Sequence, residues 1–243
     1  MNLKHTLMLR TSSIIFLLVF CVSVKAQNDS IPKQVKDSTR IKLQYGLRLG
    51  VDIGKLLRTT LDDEYSGFEI SGDFRIKKRL YIAGEIGIEE KKTVNDYLDI
   101  TSNGTYLKAG IDYNTYENWL NMDNMIYFGF RVGASTFSHD LNSATVYTTN
   151  QYWSPQLTLT EKREFSGLTA VWTEVLLGMK VELFNNFYMG LNVQLKVMGT
   201  QSRPDNFENV YIPGFGKTFD SSSIGAGYSY VLSYRIPLYK KDN

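Results

Sequence analysis

The stretch LQYGLRLGVDI, Leu43–Ile53, alternates without a break. Leu43, Tyr45, Leu47, Leu49, Val51 and Ile53 share one face, while Gln44, Gly46, Arg48, Gly50 and Asp52 share the other. Only an extended backbone sends alternate residues to opposite faces. Wound as a helix, the same residues would mix leucine with arginine around the axis and leave no stripe. The run is about eleven residues, close to what a tilted strand needs to cross a bilayer.

Seven later stretches repeat the pattern: GFEISGDFRI (67–76), LYIAGEIGIEE (80–90), TYLKAGIDY (105–113), MIYFGFRVGAS (125–135), WTEVLLGMKVEL (172–183), FYMGLNVQLKV (187–197) and IGAGYSYVLSYRIPLY (224–239). Their connections differ in length in a regular order. Residues 55–66 form a polar connection with one helical turn, and Lys77-Lys78-Arg79 a tight turn. Residues 90–104 read as a polar loop and 114–124 as a medium turn carrying Trp119. Residues 136–167 make the longest loop, Asn185-Asn186 a tight turn, and 199–223 a second long loop. Short turns at one end and long loops at the other are the order of an antiparallel up-and-down transmembrane β-barrel with short periplasmic turns and long outer loops. The reading is all-β with about eight strands. Ten strands would require ATVYTTNQYW and PQLTLTEKREF to cross as well. The face holding Leu157 and Leu159 continues into Glu161 and Arg163, and a lipid-facing charge costs roughly 2–4 kcal/mol at the midplane. These stretches are therefore expected to form a hairpin standing above the membrane.

The first 26 residues have the form of a cleaved secretory signal: Lys4 and Arg10, then the apolar core IIFLLVFCV (14–22), then Val24-Lys25-Ala26. Residues 27–42 are polar, carry Pro32 and show no period, as expected of a flexible periplasmic lead-in. The barrel is then expected over 43–239, with a polar tail at 240–243. The sole cysteine, Cys21, lies within the signal, so the mature chain offers no disulfide, thiolate metal site or thiol nucleophile. The formal charge of +2 reduces to 24 basic against 25 acidic residues once Lys4, Arg10 and Lys25 are removed. That balance gives no support to nucleic-acid binding, which needs a clustered basic footprint. A mean hydropathy of −0.23 excludes a helical membrane bundle.

Alternation alone does not say which face meets solvent, since a soluble lipocalin-like barrel also alternates with its apolar side inside. Three features favour lipid outside. The apolar faces carry no charge. The polar faces carry glycines (Gly46, Gly50, Gly110, Gly129, Gly133, Gly178, Gly190) that suit a narrow interior. Tyr45, Phe74, Tyr113, Phe187 and Tyr234 fall near one end of the apolar band, where an interfacial girdle belongs.

The strings YGLRLGVDIGKLLR, KRLYIAGEIG, KAGIDYNTYENW, NMIYFGFRVG, FENVYIPGF and SYRIPLYKK resemble an uncharacterised family of small outer-membrane barrels from Bacteroidota. The resemblance covers most of the mature chain. It implies the outer membrane of a Gram-negative bacterium and no particular activity. By likeness to outer-membrane proteins generally, the last strand, ending at Tyr239, would be read by the barrel-assembly machinery. Outer-membrane lipid is the other expected partner, with an extracellular ligand left unnamed. The chain is expected to be a monomer without cofactor or metal.

The inward faces collect Arg48, Arg75, Lys108, Arg131, Lys180, Lys196 and Arg235 beside Asp52, Glu69, Asp73, Glu85, Glu89, Asp112, Glu174 and Glu182. Buried charges persist only when paired, so these are expected to interlock as a plug. A narrow ion path is the functional alternative. Lipid-modifying barrels, as a class, use a histidine and a serine near the outer rim. Here only Ser138, His139 and Asp140 offer such a set, and adjacent strand residues point apart, so catalysis is not expected. GFGKT (214–218) lacks the earlier glycine of a phosphate loop, since Tyr211 stands in its place. Tyr147, Tyr152, Trp153, Phe165, Phe207, Tyr211, Phe215 and Phe219 lie in the outer loops, either as a contact surface or packed over the barrel mouth.

Overall fold

The computed structural model describes residues 42–116, 123–146, 157–159, 161–204, 208–219 and 222–242. In chain order the elements are β1 (Lys42–Asp52), α1 (Ile53–Leu61), β2 (Tyr65–Arg75), β3 (Leu80–Asn95), β4 (Leu98–Asn114) and β5 (Met125–Val146). They continue with β6 (Leu157–Leu159), β7 (Arg163–Phe184), β8 (Phe187–Gln201), β9 (Tyr211–Ile212), β10 (Gly216–Lys217) and β11 (Ile224–Asp242). Eight long strands form one antiparallel ring in the order β1-β2-β3-β4-β5-β7-β8-β11, and β1 closes it on β11. β6 adds three residues to the far end of β5, pairing Ala144–Val146. It is too short to be a stave, so the ring has eight.

The strands outrun the hydrophobic periodicity. β3 and β4 stay paired through Asn95↔Leu98, so the polar loop expected at 90–104 is a hairpin with Asp96 and Tyr97 at its tip. β5 and β7 are 22 residues each and pair up to Leu141↔Arg163, well into the expected loop of 136–167. Beyond the apolar band the outer face is free to be polar. The ladder's backbone bonds continue there while the alternation that announces a strand fades. β11 likewise extends to Asp242, so most of the expected tail at 240–243 pairs with the start of β1. The helical turn expected after β1 is a nine-residue helix, because Asp52 caps it by accepting from Gly54 N at 2.8 Å and Lys55 N at 3.3 Å.

The tight turn at Asn185-Asn186 is present, with Asn186 at φ 65, a conformation asparagine tolerates. Alternation sorts the side chains cleanly. On β4, Leu107 is 58% exposed and its neighbour Lys108 1%. Ile82, Ile86, Phe128, Leu177 and Val193 are likewise exposed on the outer wall, while Tyr81, Tyr127, Trp172 and Tyr188 point inward and are buried. The interior is tight enough to dictate glycines. A Cβ on Gly133 would run into the Trp172 indole, and one on Gly178 into the Tyr127 ring. At the end where β1 begins and β11 finishes, a register shift at Tyr45/Gly46 skips Leu238. It brings Tyr239 opposite Tyr45, and the two rings stack at 4.9 Å. Tyr45 is buried by that contact, whereas Tyr113 and Tyr234 stay exposed in the band.

Candidate functional site

The lumen is built in tiers along the barrel axis. At the end holding the tight turns, Asp123 bridges Arg75 and Arg235. Arg75 also meets the Tyr81 hydroxyl, and Arg235 Nη2 donates to Gln44 Oε1 at 2.6 Å. Glu182 lies 3.6 Å from Arg235 and is only half-buried.

One tier up, Asp73 takes Arg48 Nε and Lys180 Nζ, each at 2.6 Å. Arg48 lies between the rings of Tyr81 and Tyr188, 4.9 and 5.2 Å from their centroids. Arg131 sits 2.7 Å from Asp112 and 3.5 Å from Glu85. Lys108 is shared by Glu85 at 3.0 Å, Glu174 at 3.5 Å and Glu69 at 3.8 Å. A space of about 30 Å³ remains beside Arg48, Asp73, Glu85, Arg131 and Lys180. That is room for about two waters.

Above this the polarity changes. Tyr106, Phe137, Leu168, Ala170, Trp172, Ile212 and Phe215 form a buried apolar cluster across the lumen, with Phe165 packed against it. Ile212 and Phe215 come from the loop between β8 and β11. They flank a tight turn in which Phe215 N donates to Ile212 O at 3.1 Å and Gly214 takes φ +81. Proline then glycine at the two central positions fits a type II turn, so Ile212–Phe215 is a turn thrust into the barrel mouth, and the GFGKT stretch runs from it into β10.

Glu89 fastens the turn by accepting from Tyr211 Oη at 2.8 Å and Gly214 N at 2.9 Å. Lys196 does so from the other side, donating to Gly214 O at 2.7 Å and Phe215 O at 3.2 Å. Glu89 also holds Lys55 of α1 and the Tyr65 hydroxyl. Burial pulls the Lys55 ammonium down, but Glu89 and Glu69 outweigh it and hold it above its ordinary range. Burial and Glu89 together push the Tyr211 phenol well above its usual range.

The arrangement gathers most of the expected inward charges. Asp52 is a correction: rather than pairing across the lumen, it caps α1 and accepts from Tyr230 N at 3.3 Å. Lys55 and Asp123 were not among the expected site residues. Lys55 was detectable only as the third residue after a capping aspartate, and nothing local marks Asp123. Of the outer aromatics, Tyr211 and Phe215 are buried in the mouth, Phe165 is half-buried and Phe219 is 55% exposed. Tyr147, Tyr152, Trp153 and Phe207 lie outside the described residues.

His139 is not a solvated loop residue. It is fully buried on the inner face of β5, with Nε2 3.0 Å from Asn209 Oδ1. Ser138 and Asp140 turn to the other face, where both engage Asn103. The three therefore make no nucleophile–base–acid relay. Among the described residues no cluster of potential metal ligands is present.

No curated protein matches the chain. Among solved structures, the chain is similar to Ail, the attachment invasion locus protein of Yersinia pestis. That match has 7% identity and a TM-score of 0.40, covering 79% of this chain and 97% of that one. Neisserial surface protein A, NspA, is similar at 10% identity and a TM-score of 0.40, covering 80% of this chain and 99% of that one. The model of the family described as Domain of unknown function (DUF6048) matches residues 6–241, and the chain belongs to that family.

Proposed function

We propose that this protein is a small barrel of the bacterial outer membrane whose lumen is closed by its own charges and by the Ile212–Phe215 turn. Its biological work is then done at the outer surface, as a structural or binding protein. The observation that carries this reading is the inverted polarity of the wall. Residues such as Leu107, Leu177 and Val193 are 48–58% exposed, while Lys108, Glu174 and Arg131 beside them are 0–2% exposed. In water that order would expose a continuous apolar belt and bury many charges; in a bilayer it is the order required. Along its paired strands the ring satisfies the backbone groups that hydrocarbon cannot. Closure of the lumen is supported by the interlocked pairs from Asp123 up to Glu89 and by the apolar cluster above them.

Two measurements test the reading. The folded protein should partition with outer-membrane vesicles, resist extraction at alkaline pH and change gel mobility when heated. Recovery in a soluble fraction would remove the membrane assignment. In planar bilayers the refolded protein should show no steady conductance. Steady single-channel currents that shift in Arg48→Met or Glu85→Gln would replace the closed-lumen reading with a conducting one.

A further inference from the structure

β1 is too short for the wall it begins. It pairs with β2 only from Leu47↔Phe74 to Val51↔Ile70, and with β11 only as far as Asp52↔Val231. β2 runs on to Tyr65, paired to β3 alone, and β11 runs back to Ile224, paired to β8 alone. Beyond Asp52 the ring therefore has a notch between β2 and β11 that no strand among the described residues fills.

Helix α1 stands in that notch. Thr59 Oγ1 accepts from Gly67 N at 2.9 Å and lies 3.2 Å from Gly67 O, serving the open edge of β2. Asp52 Oδ1 accepts from Tyr230 N at 3.3 Å, on the open edge of β11. Two side chains thus stand in for a ladder of backbone bonds. Lys55 adds an anchor by reaching Glu89 and lying 3.4 Å from Glu69, as do Arg58, stacked on Tyr65, and the C-cap Asp62, 3.4 Å from Lys91. A segment held by side-chain contacts, with none of its own residues buried, opens at lower cost than a paired strand.

Behind α1 lies a cavity of about 160 Å³. Its lining includes Lys55, Arg58 and Lys196 against one carboxylate, Glu89. Lys196, which donates to the Gly214 and Phe215 carbonyls, lies 3.7 Å from Glu174. The Arg58 guanidinium lies 3.8 Å over the Tyr65 ring and 3.3 Å from Asp62. The same cavity reaches Tyr228 of β11, whose ring is 70% exposed on the outer wall. On its outer side α1 exposes Leu56, Leu57 and Leu61, beside the exposed Phe68 and Ile70 of β2. The cationic inside and the apolar outside are two sides of one helix, which carries Lys55 and Arg58 on the cavity side and Leu57 and Leu61 on the other.

From this order we infer that the notch is a lateral binding site for an anionic lipid. The phosphate sits among Lys55, Arg58 and Lys196, and the acyl chains lie along Leu57, Leu61 and Tyr228. The site rests on the membrane reading above, and its test separates the two. The mature chain is inserted into neutral phosphatidylcholine discs, and insertion is verified by strand circular dichroism and heat-dependent mobility; failure here removes the membrane reading and the site with it.

Phosphatidylglycerol is then added as a minor component, and lipids retained on the released protein are counted by native mass spectrometry. One phosphatidylglycerol should be retained about tenfold over phosphatidylcholine, and the ratio should fall towards one in Arg58→Gln and in Lys196→Met. Arg58 is partly exposed, so its variant keeps the barrel intact. Equal retention of the two lipids by inserted protein would overturn the site, as would an unchanged ratio in both variants. Retention of glycerol phosphate alone to the same extent as phosphatidylglycerol would also overturn it, leaving a headgroup site without a lateral chain.

Discussion

The Tyr211 hydroxyl donates to Glu89 Oε2 at 2.8 Å across 122 residues of sequence. This joins the outer loop to the inner face of β3. Because Glu89 also holds Lys55, Tyr65 and Gly214, it connects the helix in the wall notch with the turn in the mouth. Glu89→Ala takes from the half-buried Lys55 its closest partner, leaving Glu69 at 3.4 Å. A loss of about 3–5 kcal/mol of unfolding free energy is expected, against about 0.5–1.5 kcal/mol for Tyr211→Phe, which removes one hydrogen bond. Urea titration of both variants in detergent measures the difference. Equal losses would mean that Glu89 is not the hub of this end.

Asp123 faces two arginines, Arg75 and Arg235. Asp123→Asn should leave the two arginines facing each other with only Glu182, 3.6 Å from Arg235, to offset them, costing about 3–5 kcal/mol. The loss should be smaller in the Asp123→Asn/Arg75→Gln double variant. A double-mutant cycle that comes out additive would show that the triad is not coupled.

Gly133 lies against the Trp172 indole, which donates to Glu174 at 2.7 Å. Gly133→Ala should displace the indole and cost about 1–3 kcal/mol by overpacking, with a shift in buried tryptophan emission. Gly199→Ala, where a Cβ meets only Val171 backbone at 3.2 Å, is the milder control.

His139→Ala should leave Asn209 Oδ1 without its 3.0 Å partner and cost about 1–3 kcal/mol. Because Ser138 and Asp140 face away, no lipid-deacylation activity should be present in either protein. A wild-type activity that vanished in the variant would restore the enzyme reading.

The fastening of the mouth should weaken in alkali. Lys55 and Tyr211 both have folded values above their ordinary ranges. Their contribution is therefore complete below the unfolded values near 10 and is lost as pH rises through the folded ones. Protease cleavage in the loop between β8 and β11 should be flat from neutral pH to about 9 and rise only above about 10. A rise near pH 7 would point to a different titrating group.

What the sequence by itself determined is which residues share a face. Period-two alternation from Leu43 to Tyr239 sorts Arg48, Lys108 and Glu174 to one side and Leu49, Leu107 and Val175 to the other, because a strand permits no other assignment. It also determines the ring size, through the spacing of turns and the charges at Glu161 and Arg163. The length of the strands was not legible. Once β3, β4, β5 and β7 leave the apolar band, their outer residues carry no hydrophobic signal, although backbone pairing continues. Nor were the partners. Alternation says that Asp73 points inward, but that Arg48 and Lys180 reach it depends on strand stagger around the closed ring. Only the tertiary structure decided that Asp52 meets Tyr230 N, that Asp123 bridges two arginines, and that Tyr211 and Phe215 enter the mouth. Each of these contacts joins segments far apart in the chain, and local periodicity carries no information about what lies across a lumen.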